Sequence, residues 1–228
     1  MIFAISFLIL HWYASLFFQS FYLHRYISHK MFKLSPFWNR VFCLLTIFTQ
    51  GPSFLRPALY RHLHVRHHQH SDSNLDPHSP HHSSHIMDMM TKTLKEYLSA
   101  RDLKEDFPKM IKFFDSFILR FSFVAVYCAL YLEFTDSYWY LLLVPIHSLM
   151  GPIHGAIVNW FGHKSGYRNF ETDDHSKNTF VVDLLMMGEL YQNNHHANPN
   201  RVNFAVKPKE IDLTYLVMAF SKRLIPIK

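Results

Sequence analysis

The sequence predicts an all-α integral membrane protein with about three transmembrane helices, an interfacial helix and a helical cap on the cytoplasmic side. Two observations carry this prediction, the segregation of charge and the length of the apolar stretches. Hydrophobic residues make up 49% of the chain and aromatic residues 17%. No Lys or Arg precedes Arg25, and none lies between Arg120 and Lys164. Lipid-like and water-like stretches therefore alternate, as in a multi-pass protein with one large aqueous face.

Three stretches are long and apolar enough to cross a bilayer, whose hydrocarbon core needs about 20 helical residues. They are Met1 to Leu23, Phe117 to Phe134 and Tyr138 to Phe161. The short acidic link 133–137 joins the last two into a hairpin. Its tip is expected outside, because Lys and Arg favour the cytoplasmic side.

A fourth apolar stretch, Phe37 to Leu55, is predicted to be interfacial or re-entrant. Polar and helix-breaking residues interrupt it at 49–52, which suits a segment that does not span. His29 precedes it and His64 follows it, so a crossing would separate these histidines by about 30 Å of hydrocarbon. The prediction places the first residue outside and every histidine group on the cytoplasmic face.

The polar segments 60–113 and 162–210 are expected to form the cap. Residues 87–114 show a helical pattern interrupted near Pro108, and Asp212 to Leu224 shows an amphipathic helix suited to the membrane surface. The net charge of +6 has two alternative explanations. It is either the positive excess of cytoplasmic loops or a surface for anionic lipid, an acyl thioester carrier or an acidic electron donor.

The 18 histidines are clustered, and their spacing indicates metal ligands. His64, His67 and His68 share one helical face at offsets of three and four residues. His24 and His29 stand at the exit of the first span, about 140° apart on a regular helix, so the helix must distort for both to reach one site. Imidazole suits iron, zinc or copper.

Two further groups complete the pattern. Gln192, His195 and His196 repeat the same offsets, while Asn159 and His163 form a pair four residues apart at the exit of the last span. Six other histidines are not predicted to be metal ligands. His78, His81 and His82 have matching spacing, but Pro80 disfavours a continuous helix and favours a loop or a role beside the site. Surface positions or places beside the site are expected for His62, His70 and His175.

Inside the last span, His147 and His154 lie seven residues apart on one predicted face. Polar residues within a membrane are often functional, but a hydrogen bond to a neighbouring helix explains them equally well. Cys43 and Cys128 lie in apolar runs and form no redox or zinc motif.

In this order and separation the histidine groups resemble those of the membrane-bound fatty-acid desaturases, closest to the acyl-CoA (stearoyl-CoA) Δ9 type. The match extends to Asp76-Pro77-His78 after the second group, to 166–168 after His163, and to Gly188-Glu189 before the third group. The resemblance covers residue 11 to the carboxyl end and implies one membrane-bound desaturase domain over 1–228. It further implies two iron ions, O2 as co-substrate and insertion of a double bond into a fatty-acyl chain in lipid metabolism.

Carried over by position, the family's residues are iron ligands, residues that contact the metal directly or through water, and residues beside the site. Asn159 and Gln192 would contact metal directly or through water, and Glu189, Asp76 and His78 would lie beside the site. Glu171, Asp173 and Asp174 are further candidates to accept the free N–H of an imidazole. The implied iron ligands are His24, His29, His64, His67, His68, His163, His195 and His196.

Two departures from the acyl-CoA type bear on substrate and ligation. Gln192 replaces a histidine, as in the front-end desaturases, and His62-Leu63 replaces an Arg-Asp pair. The acyl group is therefore expected on CoA, on a carrier protein or in a lipid ester. Electrons would come from an external donor of the ferredoxin, rubredoxin or cytochrome b5 type, since no flavin or iron–sulfur motif is visible. Nucleic acid is not an expected partner.

Two other functions fit parts of the pattern. The same metal chemistry can end in hydroxylation, as in membrane lipid and alkane hydroxylases, although their first histidine group usually has different spacing. A histidine-rich metal transporter would hold its ligands near the membrane midplane. The groups here lie instead at span exits or in polar segments.

Overall fold

The computed structural model describes residues 1–221, which fold into helices joined by loops. Within that range the only β-type pairing is a set of isolated bridges, Tyr167 with Asn178 and Asn178 with Tyr191. The all-helical prediction is therefore confirmed for the described part of the chain. The helices are α1 (Ile2–Phe18), α2 (Pro36–Gln50), α3 (Pro57–His70), α4 (Ile86–Ser99), α5 (Pro108–Phe114), α6 (Phe117–Phe134), α7 (Val144–Ser148), α8 (Met150–Lys164), α9 (Gln192–Ala197) and α10 (Leu213–Ser221).

Among residues 1–221, two helical stretches are long and apolar enough to cross a membrane, and a bent pair makes a third where it forms one span. Ile2–Ser28 and Phe117–Phe134 qualify as continuous helices. Tyr138–Ser148 and Met150–Lys164 qualify together, with a bend of 64° between them. These elements lie at the three predicted spans, and apolar helices of this length indicate a membrane protein.

The end of the first helix is wound as a π-helix over Gln19–Ser28. The His29 N–H donates to the His24 carbonyl at 3.1 Å, which is the five-residue bond of that winding. A π turn holds more residues than an α turn, so it reduces the angle between side chains five positions apart. The distortion expected for His24 and His29 is present in the structure.

Helix α2 is capped at both ends. Before its first residue, the Ser35 side chain accepts a hydrogen bond from the Trp38 N–H, and Gly51 follows its last residue. Gly51 has φ +56°, a conformation that glycine adopts without strain, and here the chain turns back. Fifteen residues of helix extend only about 22 Å, less than the hydrocarbon thickness. This length supports the interfacial or re-entrant interpretation of the stretch.

The two polar segments expected to form the cap contain α3, α4 and the long loop that leads into α9. Helix α4 ends at Ser99, so the interruption expected at Pro108 covers residues 100–107 and precedes the proline. A residue before proline disfavours the α conformation, which explains why the break lies on that side. Helix α10 exposes Leu216, Val217 and Phe220, as the amphipathic pattern predicts. The remainder of that predicted helix, 222–224, lies outside the described residues.

Candidate metal centre

The eight predicted ligand histidines come together in two adjacent groups. In each group, one potential ligand atom per residue lies within 4.8 Å of all the others. Adjacent residues connect the groups, because His67 and His68 belong to different groups, as do His195 and His196. The first group contains His24, His29, His64, His68 and His195, and the second contains His67, His163 and His196.

In the larger group the Nε2 atoms converge on one point. His29 Nε2 lies 2.6 Å from His64 Nε2, and His68 Nε2 lies 3.1 Å from the same atom. His195 Nε2 is 3.0 Å from Nε2 of both His24 and His68. Such mutual approach of ring nitrogens from three parts of the chain is the arrangement of a shared metal site.

The smaller group has the same inward orientation. His67 Nε2 and His196 Nε2 are 3.3 Å apart, and the rings of both lie 4.9 Å from the His163 ring. His163 Nε2 is buried and has no hydrogen-bond partner within residues 1–221. A buried nitrogen that costs free energy when unpaired is a suitable metal ligand.

Half of these imidazoles direct the opposite nitrogen, Nδ1, at a carboxylate. A carboxylate oxygen can only accept, so Nδ1 carries the proton and Nε2 keeps its lone pair for the inward side. Carboxylate partners of this kind fix ring orientation and make the imidazole a stronger ligand. The four pairs are His24 with Glu189 (2.5 Å), His67 with Asp76 (2.9 Å), His163 with Asp72 (2.8 Å) and His196 with Asp174 (2.5 Å).

Three of these carboxylates, Glu189, Asp76 and Asp174, were predicted partners, while Asp72 was not. Asp72 has φ +57°, which turns the chain directly after α3 and directs its side chain at α8. The signal available in the sequence was its place four residues after His68, in a polar turn. Glu171 and Asp173 are exposed and are paired with none of the described ligand imidazoles, so that part of the prediction was wrong.

Arg25 is a buried residue of the site that its position beside His24 did not reveal. Its side chain is 0% exposed and donates to Glu189 Oε1 at 2.6 Å and to Asp212 Oδ2 at 2.8 Å. Burial would raise the pKa of Glu189, but His24 and Arg25 together lower it to about 2. Glu189 is therefore ionised, and Arg25 holds it against the His24 ring.

Burial keeps five of the eight imidazoles in the two groups neutral. Removal from water lowers the pKa of His29 to about 2 and the pKa of His196 to about 4. The same cause lowers the pKa values of His64, His68 and His195 well below the usual range. Neutral imidazoles are the form that binds metal, so this donor set fits a transition metal such as iron.

Asn159, Gln192 and His78 lie near these groups with other contacts. The Asn159 side chain donates to the Gly155 carbonyl at 2.9 Å, and the Gln192 side chain donates to the Glu189 carbonyl at 2.6 Å. His78 is buried, with Nδ1 3.1 Å from the Thr93 hydroxyl. It lies beside the smaller group rather than in either group, as predicted.

A cavity of about 660 Å³ adjoins the larger group. His24 and His64 line it together with Asn159 and Gln192, and it extends between α3, α4 and α8. Its walls are mainly apolar, and three arginines, Arg56, Arg101 and Arg120, also line it. The apolar lining includes Leu59, Leu63, Met89, Leu94, Leu98 and Val158.

Two groups of converging imidazoles, one of which lines a mainly apolar cavity, are the arrangement expected of a metal-dependent membrane enzyme. Comparison with known proteins specifies the class further: the fatty acid desaturase family model matches residues 1–206. The chain belongs to the fatty acid desaturase family. It is accordingly an oxidoreductase of lipid metabolism, in a family that generally depends on iron.

Individual relatives agree with this assignment. The Delta-9 desaturase-like 4 protein of Arabidopsis thaliana is 30% identical over 211 residues, covering 88% of this chain and 68% of the relative. The sn-1 stearoyl-lipid 9-desaturase of Anabaena variabilis is 28% identical, covering 86% and 71%. The hex-5-enoyl-[acyl-carrier protein] acetylenase of Moorena producens is 28% identical, covering 91% and 70%. The chain thus spans about two thirds of the length of these relatives.

Proposed function

We propose that this enzyme is an O2-dependent di-iron desaturase that introduces a double bond into a fatty-acyl chain, with Δ9-type regiochemistry. The observation that carries the proposal is the pair of adjacent imidazole groups, of which the larger lines a mainly apolar cavity. Eight imidazoles are more than one metal ion can use, so the proposal assigns two iron ions, one to each group. Asn159 and Gln192 would complete the coordination, directly or through water.

Bound iron would supply the oxidant needed to remove hydrogen from an unactivated methylene, which side chains cannot do. The residues of the chain have three other tasks. Glu189, Asp76 and Asp174, together with Asp72, hold the Nδ1 protons and orient the imidazoles. The apolar walls keep the acyl chain in place and exclude water from the reacting carbons. Electrons would come from a separate donor of the ferredoxin, rubredoxin or cytochrome b5 type.

The proposed substrate is a long acyl chain, with the carrier still open among CoA, a carrier protein and a lipid ester. One relative is named for a stearoyl lipid and another for an acyl-carrier protein. Among the arginines that line the cavity, Arg56 pairs with Glu105 and Arg120 pairs with Asp115. Arg101 is exposed, so it is the proposed contact for an anionic carrier group.

The proposed topology has three crossings, an external first residue and both imidazole groups on the cytoplasmic face, within one domain over 1–228. The exposed positions Lys33 and Asn74 lie on either side of α2 and can each be replaced by cysteine. Membrane-impermeant thiol reagents should label both variants from the cytoplasmic side only. Labelling of the two from opposite sides would mean that α2 crosses, which would reject this topology.

Product analysis in a desaturase-deficient host tests the proposed reaction. Cells that express the protein should gain a fatty acid with a new double bond, and cells that express the His195→Ala variant should not. A new hydroxyl group instead would assign the same centre to a hydroxylase. Unchanged lipids, with the protein present and loaded with iron, would reject the proposal.

A further inference from the structure

His154 on α8 is a buried histidine whose ring has no hydrogen-bond partner among residues 1–221. Its side chain is 0% exposed, and both Nδ1 and Nε2 are unpaired. The ring packs edge-on against Trp12, with centroids 4.4 Å apart. A buried polar group without a partner is destabilising, and at His154 both ring nitrogens are in this state.

The other two histidines that lie within the apolar helices but outside the imidazole groups are not in this state. His11 and His147 are bonded to each other at 2.6 Å, and each makes a second hydrogen bond through its other nitrogen. The predicted interhelical hydrogen bond is therefore found for His147 but not for His154. Both of these buried rings are fully paired, so burial among the apolar helices does not by itself leave a histidine without partners.

That position is a wall of the cavity that His24 and His64 also line. His154 precedes Asn159 by five residues and His163 by nine on the same helix, which places it about 7 and 14 Å from them along the axis. The cavity therefore reaches from the larger imidazole group to a position further along α8. An acyl chain that fills the cavity lies against a wall to which His154 contributes.

We propose that His154 binds a hydroxyl group carried by the acyl chain of the substrate. The inference rests on the proposed function and deepens it by naming a substrate class, the hydroxylated fatty-acyl chains. A neutral imidazole offers one donor and one acceptor, and a hydroxyl group can pair with either. A plain methylene chain pairs with neither, so it would leave both nitrogens unsatisfied. A site that hydrogen-bonds a substrate hydroxyl discriminates strongly against the analogue without it.

The test is a competition between stearate and a hydroxystearate, supplied together in equal amounts. It is repeated with hydroxystearates that carry the hydroxyl group at successive carbons. The ratio of desaturated products within one variant does not depend on how much protein folds. Wild-type protein should prefer one hydroxyl position by about tenfold, equivalent to about 1.4 kcal/mol. His154→Leu should lose that preference, and His154→Gln should keep part of it. Ser148→Ala is the matched control, since the Ser148 hydroxyl is also buried and unpaired but lies outside the cavity.

Equal ratios in wild-type and His154→Leu proteins would overturn the inference, as would preference of the wild-type protein for stearate against every hydroxystearate. A binding measurement separates this result from a failure of the proposed function. In detergent, the matching hydroxystearate should raise the Tm of the wild-type protein more than stearate does, and His154→Gln should retain part of the difference. Preferential binding without any desaturation would keep the role of His154 and reject the proposed reaction.

Discussion

Histidines serve two different purposes in two regions of this molecule. In the two imidazole groups, the Nδ1 atoms of four ligand imidazoles face carboxylates, which leaves their Nε2 atoms free to converge. Among the apolar helices, His11 donates from Nε2 to the Thr49 carbonyl at 2.6 Å, so its Nδ1 accepts from His147, which accepts in turn from Tyr131. Both nitrogens of each ring are used in that chain of bonds. The comparison shows that the partners of a histidine, rather than its burial, decide whether it can bind metal.

Replacing a converging imidazole should have the largest effect. His195→Ala and His67→Ala remove one proposed ligand from each group, and loss of a first-row metal ligand is expected to abolish both iron binding and desaturation. Iron content per chain and product yield measure the two effects. His62→Ala, on the same helix as His67 but outside both groups, is the control and should keep both. Full iron and activity in both ligand variants would remove these residues from the centre.

Neutralising a carboxylate partner should have the next largest effect. Asp174→Asn keeps the shape of the side chain but removes the charge that orients the His196 ring, 2.5 Å away. We expect a loss of about 10–100-fold in metal affinity or turnover. The exposed neighbour provides the matched variant, Asp173→Asn, which should behave as wild type. Equal behaviour of the two variants would show that the carboxylate does not tune its imidazole.

Replacement of Gln192 tests whether this residue binds the metal or only lies beside it. Its amide is a weaker match to a first-row metal than imidazole, so Gln192→Ala should keep most of the iron. Activity should fall by about 10–100-fold, as for other groups around a metal centre. Iron analysis and turnover on the same preparation separate the two effects. Unchanged turnover would make Gln192 a spectator that merely packs against Gly162.

The smallest effect is expected in the membrane-embedded chain of hydrogen bonds. Tyr131→Phe removes the donor to His147 Nε2 and should lower the free energy of unfolding by about 1 kcal/mol. Unfolding in detergent measures this change, and iron content should stay at the wild-type level. Loss of iron from Tyr131→Phe would contradict the comparison, because it would show that the hydrogen bonds of His11 and His147 affect metal binding by the imidazole groups.

Local patterns were enough to predict the class of fold, while the members of the two imidazole groups followed from the resemblance of the histidine groups to a known family. Apolar length predicts the helices of Phe117–Phe134 and Ile2–Ser28, because crossing hydrocarbon requires an unbroken apolar helix. Offsets of three and four residues predict the face shared by His64, His67 and His68, because helical geometry is set by the backbone alone. The need for distortion at His24 and His29 follows from the same geometry, and the π-helix meets it.

Contacts between distant parts of the chain were decided only by the tertiary structure. Division of the eight imidazoles into groups of five and three depends on how α3, α8 and α9 pack, and no sequence spacing encodes that packing. The choice of Asp72 for His163, 91 residues away, likewise depends on a single turn meeting a helix end. His147 and His154 looked equivalent as two polar residues on one predicted face. The 64° bend between their helices separates their surroundings, so one ring is fully paired and the other lines the cavity.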